Sequence, residues 1–270
     1  MPSLPYPPRR RLGQHFLRDA GVIQRIVQAI RPAPGEHLVE IGPGLGAITR
    51  PLLKTTGQLD VVELDQNLIP ELERRCHSLG TLYCYHADAL AFDFAQLRQD
   101  ERLLRLVGNL PYNVSTPLLF HLLQQIANIL DMHFMLQKEV VERMAASPQQ
   151  EAYGRLSVMV QYQCRVAPLF EIPRSAFFPP PKVDSMFVRL TPHGQPPVHV
   201  HDAGRFAAIV RMAFSQRRKM LRRSLRPVLN SETISAAGID PSARPETLSL
   251  ADFATLSNLL AVDSIPANRW

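Results

Sequence analysis

Cysteine is scarce. Cys76, Cys84 and Cys164 are an odd number, with no CxxC pair and no Cys/His cluster. That excludes a disulfide framework and a zinc site and fits reduced thiols, so no metal is expected. No stretch approaches the ~20 apolar residues of a membrane helix. The opening MPSLPYPPRRR has prolines and a basic run where a secretory signal would carry its apolar core. The chain is therefore expected to be cytoplasmic, to have no membrane partner and to act as a monomer. Acids are in modest deficit, with Asp+Glu 24 against Lys+Arg 30, a net charge of +6 and a pI near 9.5. This bias is compatible with nucleic acid but does not demonstrate it. Arg9-Arg10-Arg11 reads as a solvated tail or as a short arm touching phosphates.

What is present is a rhythm. Residues 19–31 carry Val22, Ile23, Ile26, Val27 and Ile30 at helical spacing behind Asp19, a capping residue. Strand patterns at 37–42, 59–65, 81–88, 103–109 and 132–137 alternate with helical patterns at 46–54, 67–76 and 115–127, and a late strand falls at 187–192. Such alternation predicts an α/β fold, a parallel doubly wound sheet with ligands beyond the C-terminal ends of its strands. The Pro/Gly/His-rich stretch 191–200 reads as a linker, and strand patterns stop there. The expected domains are 1–196, with 1–18 an N-terminal arm and lid motif, and a small all-helical domain at 197–270.

The informative residues fall where strands end. EIGPGLG places Gly42, Gly44 and Gly46 after the first core strand, so the backbone can turn sharply and approach a ligand. The spacing is GxGxG, not the GxGxxG of a dinucleotide fingerprint. Glu63 ends the second strand, where a carboxylate can accept from both ribose hydroxyls, and Asp65 is expected to cap the next helix. Asp88 ends the third, placed to accept from an adenine amino group. The fourth ends in VGNLPYN, residues 107–113.

An exocyclic amine is a poor nucleophile because its lone pair is delocalised into the ring. The Asn109 side-chain oxygen and the Leu110 carbonyl can accept its two hydrogens and leave the lone pair facing an electrophilic methyl group. Pro111 fixes the backbone so that these acceptors converge. Tyr112 offers a face for the base, worth ~1–3 kcal/mol. With an activated donor, positioning supplies most of the acceleration.

GQHFL (13–17), EIGPGLG, VELD, ADAL, NLPYN, QKEV (137–140) and FFPPPKVDS (177–185), in that order, resemble the ribosomal RNA adenine N(6),N(6)-dimethyltransferases of bacterial small (16S) subunits. The resemblance covers roughly residues 11–226. It implies a Rossmann-like methyltransferase domain with a small helical domain, and S-adenosyl-L-methionine as methyl donor. It also implies dimethylation of two adjacent adenosines in a 3′-terminal hairpin of small-subunit rRNA, within a ribosomal subunit precursor. By position, His15 and Leu17 border the methionine end of the donor with Gly42 beneath it. Glu63 holds the ribose, Asp88 the adenine, and Asn109 both donor and target. The family often has Asn where this chain has His15, which leaves open whether the histidine acts by side chain or backbone.

Phe177 matches the family's aromatic position and is expected to form the second wall of the base pocket, with Phe178 packing under the loop. Lys182 is expected to meet RNA, Lys138 to be solvated, and Ser185 has no visible His/Asp partner that would make it a nucleophile. Residues 205–226 carry eight cationic side chains and no acid, opposite Phe206, Val210, Phe214, Leu221 and Leu225. They read as one basic helix with Arg218 and Arg222 a turn apart, facing RNA phosphates. The alternatives are a large-subunit rRNA adenine methyltransferase of the macrolide-resistance type and a non-catalytic RNA-binding assembly or transcription factor of the same fold. A nicotinamide oxidoreductase is disfavoured by GxGxG and NLPYN.

Overall fold

The computed structural model describes residues 8, 9, 13–216 and 218–260; Arg10, Arg11 and Arg217 of the basic runs lie outside them. The elements, in order, are β1 (Phe16–Leu17), α1 (Ala20–Ile30), β2 (His37–Ile41), α2 (Thr49–Thr56), β3 (Gln58–Glu63), α3 (Ile69–Cys76), β4 (Thr81–His86), β5 (Leu104–Asn109), α4 (Ser115–Gln124) and β6 (Ile129–Gln137). Then come α5 (Lys138–Ala145), α6 (Arg155–Gln163), β7 (Cys164–Ile172), β8 (Phe177–Phe178), β9 (Ser185–Pro192), α7 (Ala203–Ser215), α8 (Leu221–Ser224), α9 (Ser231–Ala236) and α10 (Leu250–Asn258).

α1 starts where its spacing predicts, the Asp19 carboxylate accepting the Val22 N–H at 2.9 Å. Its stripe Val22, Ile26 and Ile30 is buried in the main core with Leu38, Val61 and Val107 from the sheet.

The large sheet has the order β4-β3-β2-β5-β6-β9-β7. The pairs β3–β4, β2–β3, β2–β5 and β5–β6 are parallel, and β9 lies antiparallel against β6. Central strands β2, β3 and β5 are almost wholly buried, which is why they read as continuous apolar runs. The order reverses between β2 and β5, whose connections leave in opposite directions. In open α/β sheets a crevice forms at such a point, outside the carboxyl ends of the strands. This is a Rossmann-like sheet with one antiparallel insertion.

Three features depart from the sequence reading. β7 was not expected: its residues are largely accessible and it contains Pro168, which an edge strand tolerates. A second sheet pairs β1 with β8, Phe16 opposite Phe178 and Leu17 opposite Phe177, so GQHFL and FFPPPKVDS are neighbours. The basic helix is interrupted. α7 stops at Ser215 and α8 begins at Leu221 after an extended Met220, so Arg218 lies in the intervening turn and Arg222 in a separate helix. The buried stripe runs out after Ala213 and does not resume until Leu221. The sequence between them has consecutive cations and no acid within four residues, so i,i+4 pairing offers no help to a continuous helix.

The chain forms two compact units. One contains the residues up to 141 with 167–192, the other 142–166 with the residues from 193 on. Where a single boundary is expected at 196/197, the chain crosses between the units more than once, and 142–166 belong to the helical unit. Inside that unit the Tyr162 ring lies 4.6 Å from Phe206, and the Tyr153 hydroxyl donates to the Leu248 carbonyl at 2.9 Å.

Candidate active site

β2 and β5 run side by side with Ile41 opposite Gly108, and the loops that follow them line one cleft of about 360 Å³. That is within the usual range for a small-molecule site. Gly42 turns away from β2 at φ 67°. Gly44, at φ 57°, donates its N–H to Glu63 Oε2 at 3.2 Å. A Cβ at Gly44 would come within 3.2 Å of the Phe16 ring, so a side chain there would need that ring to give by a few tenths of an ångström, on a left-handed backbone that already favours glycine. His15, Phe16 and Leu17 line the same cleft.

Glu63 is 6% exposed and lines the cleft. Its Oε1 accepts the Asp65 N–H at 2.8 Å, so each carboxylate oxygen has one backbone donor and one lone pair to spare. Burial pushes this carboxyl above its usual range, while the N–H groups of Asp65 and Gly44 pull it down. Asp88 also lines the cleft, its Oδ1 accepting the Leu90 N–H at 2.9 Å. Asp65 does not cap α3, whose first residues have no side-chain cap. It is a latch for the N-terminal segment, meeting Gln14 Nε2 at 3.1 Å and the Arg9 guanidinium at 3.1 Å.

The Asn109 Nδ2 donates one N–H to the His15 carbonyl at 2.8 Å, which fixes the orientation of the amide and leaves Oδ1 to accept. Leu110 is tied to β6 through its N–H and the Met135 carbonyl, 3.2 Å. The Pro111 carbonyl accepts the Val114 N–H at 3.1 Å and the Ser115 hydroxyl at 2.9 Å, turning the chain into α4. The Tyr112 ring stacks on His15, centroids 5.6 Å apart at 29°, and its hydroxyl lies 2.5 Å from Ser185 Oγ. Burial raises the Tyr112 phenol above its ordinary range, so it stays neutral. His15 Nδ1 donates to the Pro179 carbonyl at 2.7 Å. The backbone of His15 thus serves Asn109, and its ring serves Tyr112 and the proline loop.

The two phenylalanines stand opposite to expectation. Phe177 is 4% exposed and packs in the main core with Leu17 and Ala176, outside the cleft lining. Phe178 is 40% exposed, with the Arg18 guanidinium 4.4 Å over its ring. Adjacent residues of a strand point to opposite faces, and β8 turns Phe177 inward. Lys182 is exposed, while Lys138 pairs with Glu171 at 2.6 Å.

A model of the family described as ribosomal RNA adenine dimethylase matches residues 7–262. A relative, the ribosomal RNA small subunit methyltransferase A of Pseudomonas aeruginosa, is 55% identical over 97% of this chain and 97% of that protein. The chain belongs to the ribosomal RNA adenine dimethylase family. Among solved structures, a dimethyladenosine transferase from Plasmodium falciparum is 26% identical, with a TM-score of 0.73 over 90% of this dimethylase and 96% of that chain. The 23S rRNA methyltransferase ErmE, 24% identical with a TM-score of 0.69 over 91% and 99%, shares the fold.

Two residues of this dimethylase escaped the sequence reading. Glu40 lines the cleft from within β2, 1% exposed, and its Oε2 has no hydrogen-bond partner. Burial, with the Glu63 carboxylate behind it, raises its pKa to about 7. The signal was one acid in the otherwise apolar end of HLVEIG. Ser185 escaped because its partner, Tyr112, is distant in sequence. Burial lifts the Cys84 and Cys164 thiols to about 12, so neither is a nucleophile at neutral pH. Among the described residues no cluster of His, Cys, Asp and Glu could hold a metal ion, and no helix is long and apolar enough to cross a membrane.

Proposed function

We propose that this dimethylase transfers methyl groups from S-adenosyl-L-methionine to the exocyclic amines of two adjacent adenosines in a 3′-terminal hairpin of small-subunit rRNA. It acts as a cytoplasmic monomer on a ribosomal subunit precursor. The observation that carries the reading is the Asn109 amide: one N–H of its nitrogen donates to the His15 carbonyl, which fixes the way the amide faces and leaves its oxygen to accept at the edge of a glycine-floored cleft.

The cleft suits the donor. The spare lone pairs of Glu63 match two ribose hydroxyls, Asp88 an adenine amine, and the orphaned Glu40 oxygen an ammonium or N–H group. When bound, S-adenosylmethionine supplies a methyl group already activated on a sulfonium. The chain's own residues then position the amine. Asn109 Oδ1 and the Leu110 carbonyl accept its two hydrogens, so the lone pair localises along the remaining direction. Tyr112 stacks on the base, and its neutral phenol takes no proton. Nothing strongly basic is needed, because the amine loses its proton after the methyl has arrived. Arg218, Arg222 and Lys182, all exposed, are available to phosphates.

Incubating the protein with methyl-labelled donor and each ribosomal subunit precursor tests the function. Dimethyladenosine in small-subunit rRNA alone is expected. Label in large-subunit rRNA would assign the macrolide-resistance type of activity, and no label in either would favour a non-catalytic RNA-binding role.

A further inference from the structure

FFPPPKVDS reaches the target clamp through a hydroxyl. β9 is antiparallel to β6, with Ser185 opposite Gln137. Its first residue therefore stands at the carboxyl end of the parallel strands, where Asn109 ends β5. Ser185 is fully buried, and its Oγ lies 2.5 Å from the Tyr112 hydroxyl. The preceding turn is anchored from both sides: the Asp184 carbonyl accepts the Lys138 N–H at 3.1 Å and its carboxylate accepts the Arg174 N–H at 2.9 Å. A tyrosine ring gripped only at its stem can swing about χ1 and χ2. This one is also held at its tip by Ser185 and on one face by His15.

We propose that Ser185 is a positioning residue for methyl transfer, fixing the Tyr112 ring so that the stacked adenine presents its amine to the methyl group. This rests on the adenine-methylating function above. Ser185 touches neither donor nor base and acts only through Tyr112. The hydrogen bond is neutral, so its contribution is geometric, and small displacements in a near-attack arrangement are costly in rate.

The test is single-turnover methylation of the small-subunit precursor by the full chain, with donor calorimetry and thermal melts, for Ser185→Ala, Tyr112→Phe, the double variant and Ser185→Thr. Both single variants remove the same bond, from opposite ends. Each should slow transfer by roughly 10-fold with donor affinity unchanged. The double variant should be no slower than the slower single, since residues acting as one unit are not additive. Ser185→Thr, which restores a hydroxyl, should recover most of the rate.

Tyr112→Phe turning over at the wild-type rate would overturn the proposal even if Ser185→Ala failed to fold. So would multiplicative losses in the double variant, or a Ser185→Ala defect confined to melting temperature. A wild-type protein that transfers no methyl group to either precursor would overturn the function and the positioning role together. Wild-type turnover with an unaffected Ser185→Ala overturns the positioning role alone.

Discussion

Solvation governs the ionisation of Glu40 more than any neighbouring charge does, and this makes stability depend on pH in a definite sense. Its carboxyl titrates near 7 in the fold against 4.5 when solvated. Below 4.5 it is protonated in both states and costs nothing. As pH rises from 4.5 to about 7, the unfolded chain is increasingly favoured by its easier loss of a proton, up to about 3 kcal/mol, and above 7 the penalty is constant. Glu40→Gln removes the titration. The stability of the variant relative to wild type should rise between pH 5 and 7.5 and then level off, as measured by urea unfolding across that range. A flat difference would mean that Glu40 is ionised throughout. Glu63→Ala should weaken donor binding by about 2–4 kcal/mol, from the loss of charge-assisted hydrogen bonds. Calorimetry on the folded variant checks this, and unchanged affinity would remove the ribose role.

Among the elements, the short β1–β8 ribbon decides which aromatic is structural. Phe177→Ala should cost ~3–5 kcal/mol, the usual price of emptying a large core position. Phe178→Ala should cost ~1 kcal/mol or less, the worth of an exposed cation–π contact with Arg18. Thermal melts of the two variants separate them. The doublet shows where sequence reading stops. Two adjacent phenylalanines in a two-residue strand carry no periodicity, so which one faces inward depends on pairing with β1 across the chain. Gly42, Glu63 and Asn109 could be singled out because each stands at the end of a buried apolar run, where ligands collect, whereas Asp88 follows the half-exposed β4 and stood out by position alone. Ser185 was not, because a hydroxyl's partner is unknowable until antiparallel β9 brings it to Tyr112. The 205–226 segment misled because helical spacing persists across a break set by tertiary burial. Replacing both Arg218 and Arg222 should still weaken RNA binding, each lost phosphate contact removing about 0.7–0.9 from the log–log salt slope. Binding isotherms at several salt concentrations read this directly, and an unchanged slope would make these side chains merely solvated.

For the molecule as a whole, the division into units predicts what a truncation does. A fragment ending at residue 196 keeps 142–166 but loses the residues it packs with, so Leu156, Met159 and Val160, each 2% exposed or less, would meet solvent. Such a fragment should bind a hydrophobic dye and aggregate, whereas one that also replaces 142–166 with a short linker should not. Dye fluorescence and size-exclusion chromatography distinguish them, and a well-behaved first fragment would mean that 142–166 does not depend on the later helices. The place of β9 adds a temporal cost. β7 precedes it in the chain yet lies beyond it in the sheet, so β6 waits for its partner while the intervening segment is made. The gap is roughly 50 residues, about 3–10 s of synthesis at ordinary rates. During that interval the nascent chain presents an unpaired, apolar strand edge at the ribosome's exit. This rRNA methyltransferase thus depends, at its own birth, on that edge being kept from other chains until Ser185–Pro192 emerges to close it.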